Sequence, residues 1–292
     1  MAKTWLVLDA NYLCHRSFFA HGGLSYEDVK TGVVFGFLRD LIVLSKKFQT
    51  TRFAFCFDYG RGIRESINPE YKANRINRLK QLTIQQEEDR QTLQSQIRLL
   101  RDTYLPDLGY KNIFFQNGYE ADDVIASVCR NVNIHVQCVI VSGDKDLYQC
   151  LAPNVVMYVP GTKELVTEET FHEEWGLAPH HWPKVKSIAG CGTDNVCGVP
   201  GVGEITAAKY VRGELPVHHQ AYKDIRAMRD EWKENRVLVT LPLDGCIEFV
   251  LTIDQVDGKA WDRLCRSLGM ASLEELGAAP GEPDFVSGRN RR

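Results

Sequence analysis

Nine cysteines are spread over the 292 residues without one CxxC pair or any regular spacing. That excludes a disulfide framework and the usual zinc-ribbon patterns. Cys14, Cys56, Cys129 and Cys138 lie in apolar stretches and read as small core residues. Two His-His pairs, His180-His181 and His218-His219, flank Cys191 and Cys197. Their spacing matches no standard finger, so zinc is not expected there. Long apolar runs are also missing. The N-terminal run, Trp5 to Leu8, stops at Asp9, too short for a signal peptide or a membrane span. A reduced, cytoplasmic setting is therefore expected. There is no Gly-rich nucleotide loop, no Ser nucleophile elbow and no HExxH helix, and with them go the chemistries those motifs carry. Nor is there an excess of one charge. The net value of -3 leaves local basic patches as the route to any polyanion.

What is present is ordinary in composition, 44% hydrophobic and 25% charged, enough for one large or two small domains. Its acids are less ordinary. Asp9, Asp58, Glu120, Asp122, Asp123, Asp144, Asp146 and Asp194 occur in short clusters, several where an apolar run ends. Such runs read as buried strands of a parallel sheet, whose C-terminal ends line the ligand crevice. The pattern predicts a pit of negative charge at one sheet edge. Crowded carboxylates repel one another unless cations hold them. Hard oxygen donors favour Mg²⁺, Mn²⁺ or Ca²⁺. Divalent-metal phosphodiester chemistry is the simplest use for them.

Strands are expected at Trp5 to Leu8, Phe53 to Phe57, Asn112 to Phe115, Val139 to Val141 and Val155 to Val159. Between them Val29, Val33, Phe37, Leu41 and Leu44 form a helical stripe, and Ile97, Leu100 and Tyr104 begin another. Strands alternating with helices argue an α/β fold with a mostly parallel sheet flanked by helices. Past about Thr167 helical segments and Gly/Pro turns take over, with Trp175, Trp182, Trp232 and Trp261 as packing anchors. We expect an α/β domain over 1–167, a helical domain over 168–276, and a fraying tail over 277–292.

GYEADDVIA reads as a helix start, its acids suiting the positive end of the helix dipole, or as a plain acidic cap. SGDKDLYQ can bring Asp144 and Asp146 to one site, or form an Asx-turn. PEYKANRINRLK carries Lys72, Arg75, Arg78 and Lys80 without an intervening acid. It can hold a phosphate backbone, with Tyr71 as a face for base stacking, or be a solvated charged helix. The polar, Gln-rich residues through Arg101 could form a flexible insertion over the site. GVPGVGEITAAKYV places Gly198, Gly201 and Gly203 before an Ala-rich helix, like the hairpin of a helix-hairpin-helix element. Backbone N–H groups there can meet phosphate, with Lys209 and Arg212 extending the cationic surface.

Taken together, LVLDANYLCHR, FCFDYGRGIRESINPEYKANR, GYEADDVIA, SGDKDLYQ and GTDNVCGVPGVGEITAAKY resemble the 5′ nuclease family. That family comprises flap endonucleases, phage 5′-3′ exonucleases and the N-terminal nuclease domains of bacterial DNA polymerase I. The resemblance runs from about Leu6 to about Leu276. It implies a PIN-like nuclease core with a helical arch over about 72–105. It implies two Mg²⁺ ions, replaceable by Mn²⁺, on all eight acids, with Asp144, Asp146 and Asp194 serving the second ion. In-line hydrolysis would then need no side-chain nucleophile. Lys72 and Arg75 would contact the scissile phosphate, Tyr71 would stack near the cleaved junction, and Arg16 would steer the 5′ phosphate. Arg78, Lys80, Lys209 and the three hairpin glycines would hold DNA, with K⁺ on the carbonyls of Val199 and Val202. The implied partner is DNA with 5′ ends, flaps or junctions, including RNA/DNA hybrids at primers. The implied setting is a bacterial or phage-infected cell, with the protein acting as a stand-alone monomer.

One position departs from the pattern. Relatives often carry GDxSDN before the hairpin, whereas this chain has Gly190, Cys191, Gly192, Thr193, Asp194 and Asn195. Altered affinity at the second ion is expected. The alternatives are a PIN-like metal-dependent ribonuclease and a junction-binding module with impaired catalysis.

Overall fold

The computed structural model describes residues 3–276 together with Ala279 and Pro280. Those two apart, the expected tail lies outside the described residues. The strands are β1 (Lys3–Asp9), a small hairpin of β2 (Ser25–Tyr26) and β3 (Val29–Lys30), β4 (Phe53–Cys56), β5 (Ile113–Phe114), β6 (Val136–Val141), β7 (Val155–Val159) and β8 (Glu164–Val166). Six form the central sheet in the order β5-β4-β1-β6-β7-β8, and only β8 runs antiparallel to its neighbour. The five apolar runs read from the sequence are its five parallel strands.

The sheet is covered on both faces, and strand alternation sorts side chains between two cores. Trp5, Val7, Ala54, Cys56, Cys138 and Ile140 face one cluster, while Leu6, Leu8, Phe53, Phe55, Val139 and Val141 face the other. Leu6 and Leu8 are both 0% exposed, and each such burial contributes about 1.5–3 kcal/mol. The second core is roofed by α1 (Ala10–His21), α2 (Gly32–Phe48) and α5 (Ile84–Leu99), then by α13 (Gly258–Ser267) and α14 (Ala271–Leu276). Short α3 (Gly62–Ile67) and α4 (Ala73–Leu79) precede α5, and α6 (Leu105–Asp107) follows it. The first core takes α7 (Ala121–Asn131), α8 (Glu168–Trp175), α9 (Trp182–Ala189), α10 (Glu204–Arg212), α11 (Gln220–Ala227) and α12 (Arg229–Val239).

The helices expected as a second unit therefore share a core with the sheet. Trp175, Trp182 and Trp232 anchor it, and Trp261 anchors the opposite face. Cys14, Cys56, Cys129 and Cys138 are buried as read, and no cysteine in the structure is disulfide-bonded. No helix among the described residues is long and apolar enough to cross a membrane.

Two local expectations are corrected. Val29 is not on the helical stripe: it sits in β3, 58% exposed, because the chain turns through Glu27 and Asp28 at positive φ before α2 starts. The Gln-rich segment is not a flexible insertion. Thr83 and Gln86 form a capping box that opens α5, and its Leu93 and Ile97 enter the second core. Gln96, 3% exposed, accepts from Val33 N at 3.0 Å and Val34 N at 3.2 Å. It thereby caps the first turn of α2, whose own Thr31 makes no side-chain cap.

Candidate metal centre

Parallel registry brings the acids together. Asp9 ends β1 and pairs with Cys56 of β4, two residues before Asp58, and Leu8 pairs with Val141, the last residue of β6. Asp9 also caps α1, accepting from Tyr12 N at 2.9 Å. Its other oxygen accepts from Ser142 Oγ at 2.8 Å, and Ser142 Oγ in turn accepts from Asp144 N at 3.1 Å. Asp58 accepts from Ala121 N at 2.7 Å, which ties the start of α7 to the end of β4. Asp144 accepts from Asp146 N at 2.8 Å, the Asx-turn considered above, and this turn leads Asp146 inward.

The electrostatics are those of a crowded pit. Burial, then the charge of Asp58, push the Asp9 carboxyl up to about 7. Burial, then Asp144 and Asp9, push Asp122 well above the ordinary carboxylate range. Burial and Asp144 raise Asp146 to about 6, against the pull of Lys186. Glu120 goes the other way. Its burial would raise it, but Lys72 and Arg64 together outweigh that and hold it low.

Protein cations reach into the pit from the YKANR segment. Lys72, 6% exposed and at φ +55°, pairs with Glu120 and stands 3.6 Å from Asp194. Arg75 Nη2 lies 2.8 Å from Asp194 Oδ1. The segment is pinned to the loop after α9 by Lys72 N to Asp194 O at 2.8 Å, Asn74 Nδ2 to Gly192 O at 2.9 Å, and Asn195 Nδ2 to Glu70 O at 2.8 Å.

Three predicted residues are placed elsewhere. Asp123 is fully buried and turned from the pit. It takes a bidentate pair from Arg64, at 2.5 and 2.8 Å, and accepts from Leu243 N at 2.8 Å and Glu120 N at 3.2 Å. Tyr71 offers no face for a base. It is 4% exposed and its hydroxyl donates to Glu120 at 2.6 Å. Arg16 pairs with Asp40 at 2.7 Å on the outer surface. Arg78, Lys80 and Lys209 are exposed.

The sequence reading missed two cations. Arg64, 2% exposed, lay inside the quoted motif with no role assigned, and its Nε also donates to Leu238 O at 3.0 Å. Lys186 of α9 stands 2.9 Å from Asp146 and 3.1 Å from Glu204. Only its spacing of one turn before the Gly190 break could have flagged it.

Beyond α9 the chain crosses itself closely. A Cβ on Gly198 would lie 2.2 Å from Ala189 O, so only glycine fits there. Val199 N donates to Ile188 O at 2.8 Å and Val202 N to Val199 O at 3.0 Å. Gly201, at φ +73°, and Gly203 then deliver the chain to α10, which packs against α9.

Residues 4–176 match the family described as 5′-3′ exonuclease, N-terminal resolvase-like domain. The chain belongs to the 5′-3′ exonuclease family. The 5′-3′ exonuclease of Bacillus subtilis is 34% identical over 217 residues, 71% of this chain and 69% of that protein. DNA polymerase I of Mycobacterium tuberculosis is 31% identical over 284 residues, 89% of this chain. This chain spans only 29% of the polymerase's length. The flap endonuclease of bacteriophage T5, solved with DNA and metal ions, shares the fold with a TM-score of 0.70 at 18% identity, covering 94% of this chain and 96% of that one.

The donor set fits divalent cations. Asp9, Asp58, Glu120, Asp122 and Asp144 are hard oxygen donors, burial and then neighbouring carboxylates raise Asp9, Asp58 and Asp122, and Asp146 and Asp194 adjoin them.

Proposed function

We propose that this chain is a metal-dependent 5′ nuclease that hydrolyses DNA phosphodiester bonds near 5′ ends and at single-strand/double-strand junctions. The observation that carries this reading is the convergence of carboxylates from β1, β4, β6 and α7 with Lys72 and Arg75 held against them. Two Mg²⁺ ions, or Mn²⁺ in their place, would be held by Asp9, Asp58, Glu120 and Asp122 on one side, joined by Asp144, expected at the second ion but acting by its charge on Asp9 and Asp122, and by Asp146 and Asp194 on the other. When bound, such ions supply an activated water and charge stabilisation for an in-line displacement.

The chain's own residues do the rest. Lys72 and Arg75, held at the site by Glu120 and Asp194, would bind the scissile phosphate. Arg64 and Tyr71 keep Glu120 in place rather than touching DNA. Asp123 belongs to that support and not to the ligands. Arg16, Arg78 and Lys80 lie farther out, where they serve the 5′ arm and the phosphates that follow. Residues 72–105 act as the arch. Gly198, Gly201, Gly203 and Lys209 would grip the duplex through a helix-hairpin-helix-type turn, where the Val199 and Val202 carbonyls would hold K⁺. Removal of flaps and RNA primers in the cytoplasm of a bacterial or phage-infected cell is the use this suits.

The test is cleavage of a double-flap DNA and of single-stranded RNA, each labelled at the 5′ end, with Mg²⁺ and with EDTA. A Mg²⁺-dependent cut near the DNA junction with the RNA left whole is expected. Preferential cleavage of the RNA would establish the ribonuclease alternative instead.

A further inference from the structure

The loop after α9 brings a sulfur donor, Cys191, to the pit. One ligand atom each from Asp146, Cys191 and Asp194 lie within 4.8 Å of one another. This is the span of a single coordination shell after small adjustment, since Zn–S is about 2.3 Å and Zn–O about 2.0–2.2 Å. The loop is also held in place. Cys191 N donates to Val196 O at 2.9 Å and Val196 N to Cys191 O at 3.0 Å, while Asp194 N donates to Cys191 O at 3.2 Å. The ties to Glu70, Lys72 and Asn74 described above fix its outer side. The sulfur also lies 3.0 Å from Thr193 Oγ1. Asp146 Oδ1 is enclosed and receives no aligned hydrogen bond, only the nearby charge of Lys186 at 2.9 Å. Glu204 offers Lys186 a second anchor at 3.1 Å, so an ion arriving at Asp146 need not strand the lysine.

We propose that Cys191 supplies a thiolate ligand to the second metal position, giving a mixed sulfur-oxygen site of Asp146, Cys191 and Asp194 that selects thiophilic divalent ions over Mg²⁺. The proposal rests on the reading of Asp146 and Asp194 as ligands. Its chemistry is that of ligand softness. A thiolate discriminates strongly for Zn²⁺ or Cd²⁺, whereas carboxylates suit Mg²⁺ and Mn²⁺. Binding releases the thiol proton, because only the thiolate ligates. Three protein donors leave a further position open, as in catalytic zinc sites. The two ion positions would then differ in preference, the five-acid group favouring Mg²⁺ and this one a softer ion.

The experiment is a titration of the metal-free chain with Cd²⁺, followed by ultraviolet sulfur-to-metal charge-transfer absorbance. A band that saturates with the first equivalent is expected for the unaltered protein and for Cys197→Ser, which removes the exposed neighbouring thiol. Cys191→Ser should lose the band, and circular dichroism should show it folded. If it does not fold, Cys191→Asp provides the same comparison. Cys191→Asp should also shift the Mg²⁺/Cd²⁺ competition toward Mg²⁺ by at least about tenfold, the scale on which even outer-shell ligand changes move metal affinity. No band, a band that survives loss of Cys191, or an unchanged competition ratio would overturn the proposal and leave Cys191 packed beside Tyr71, Val196 and Leu238. Binding is read without DNA. A band without flap cleavage would therefore count against the nuclease reading alone, and flap cleavage without a band against this proposal alone.

Discussion

Replacing Asp123 by alanine should unfold the protein more readily without touching its metal response, although Asp122 beside it should do the reverse. Asp123 is 0% exposed and its partner Arg64 is 2% exposed. Truncation leaves a buried guanidinium without its bidentate partner and removes the acceptor for Leu243 N and Glu120 N. Breaking a buried pair on one side costs about 3–5 kcal/mol. At roughly 2–4 °C per kcal/mol for a chain of this size class, the melting temperature should fall by about 6–20 °C. The fall should be the same in EDTA and in Mg²⁺. Asp122→Asn removes a carboxyl that burial, and then its neighbours, already push toward protonation, so in EDTA it should melt no lower than the unaltered protein. What it should lose is the ligand-induced gain, about 2.7 kcal/mol at a hundredfold excess over the dissociation constant. The assay is thermal unfolding followed by circular dichroism in both conditions. An Asp123→Ala protein that melts normally in EDTA but gains nothing from Mg²⁺ would make Asp123 a ligand and refute the separation of roles.

Three further outcomes are expected. Lys72→Ala should lower the cleavage rate at saturating DNA by about 10²-fold or more, the usual cost of one lost charge-stabilising group; a change confined to DNA affinity would make Lys72 a positioning contact only. Gln96→Leu should cost about 1–3 kcal/mol in chemical denaturation, because Val33 N and Val34 N lose their acceptor; an unchanged midpoint would show that α2 needs no cap from α5. Asp9 holds its proton more tightly when folded, at about 7 against 3.8 unfolded. In EDTA it therefore contributes stability that is full below about pH 4 and is lost as pH rises through about 7. Asp9→Asn should remove that decline, as read from denaturation midpoints across the range, and Mg²⁺ should flatten it in the unaltered protein. A decline of equal size in Asp9→Asn would assign it to other groups.

The parts of the fold visible in the sequence are those encoded locally. Five buried parallel strands announce themselves as apolar runs, and the acids that end them mark the pit, because in-register parallel strands deliver their C-terminal residues to one edge. β8 escaped notice because its three residues, Glu164 to Val166, are too few for a periodic pattern. Val29 matched the helical period by chance, with the turn at Glu27 and Asp28 deciding otherwise. The remaining errors are long-range. Gln96 looked like part of a polar insertion until its acceptor met a helix start 63 residues away. Asp123 and Tyr71 looked functional from their motifs, and their roles depend on Arg64 and Glu120, 59 and 49 residues distant. No period or spacing carries such pairings. Burial distinguishes a support from a contact, and burial appears only when the layers assemble.

The central claim is that the carboxylate pit cuts DNA by holding divalent ions. The most direct measurement compares single-turnover cleavage of a 5′-labelled double-flap DNA by the unaltered chain and by Asp122→Asn. Binding of the same DNA by both is measured in Ca²⁺. Mg²⁺-dependent cleavage near the junction, lost in EDTA and in Asp122→Asn while DNA binding persists, is the predicted result. Cleavage that survives EDTA, or proceeds undiminished in Asp122→Asn, would contradict the account.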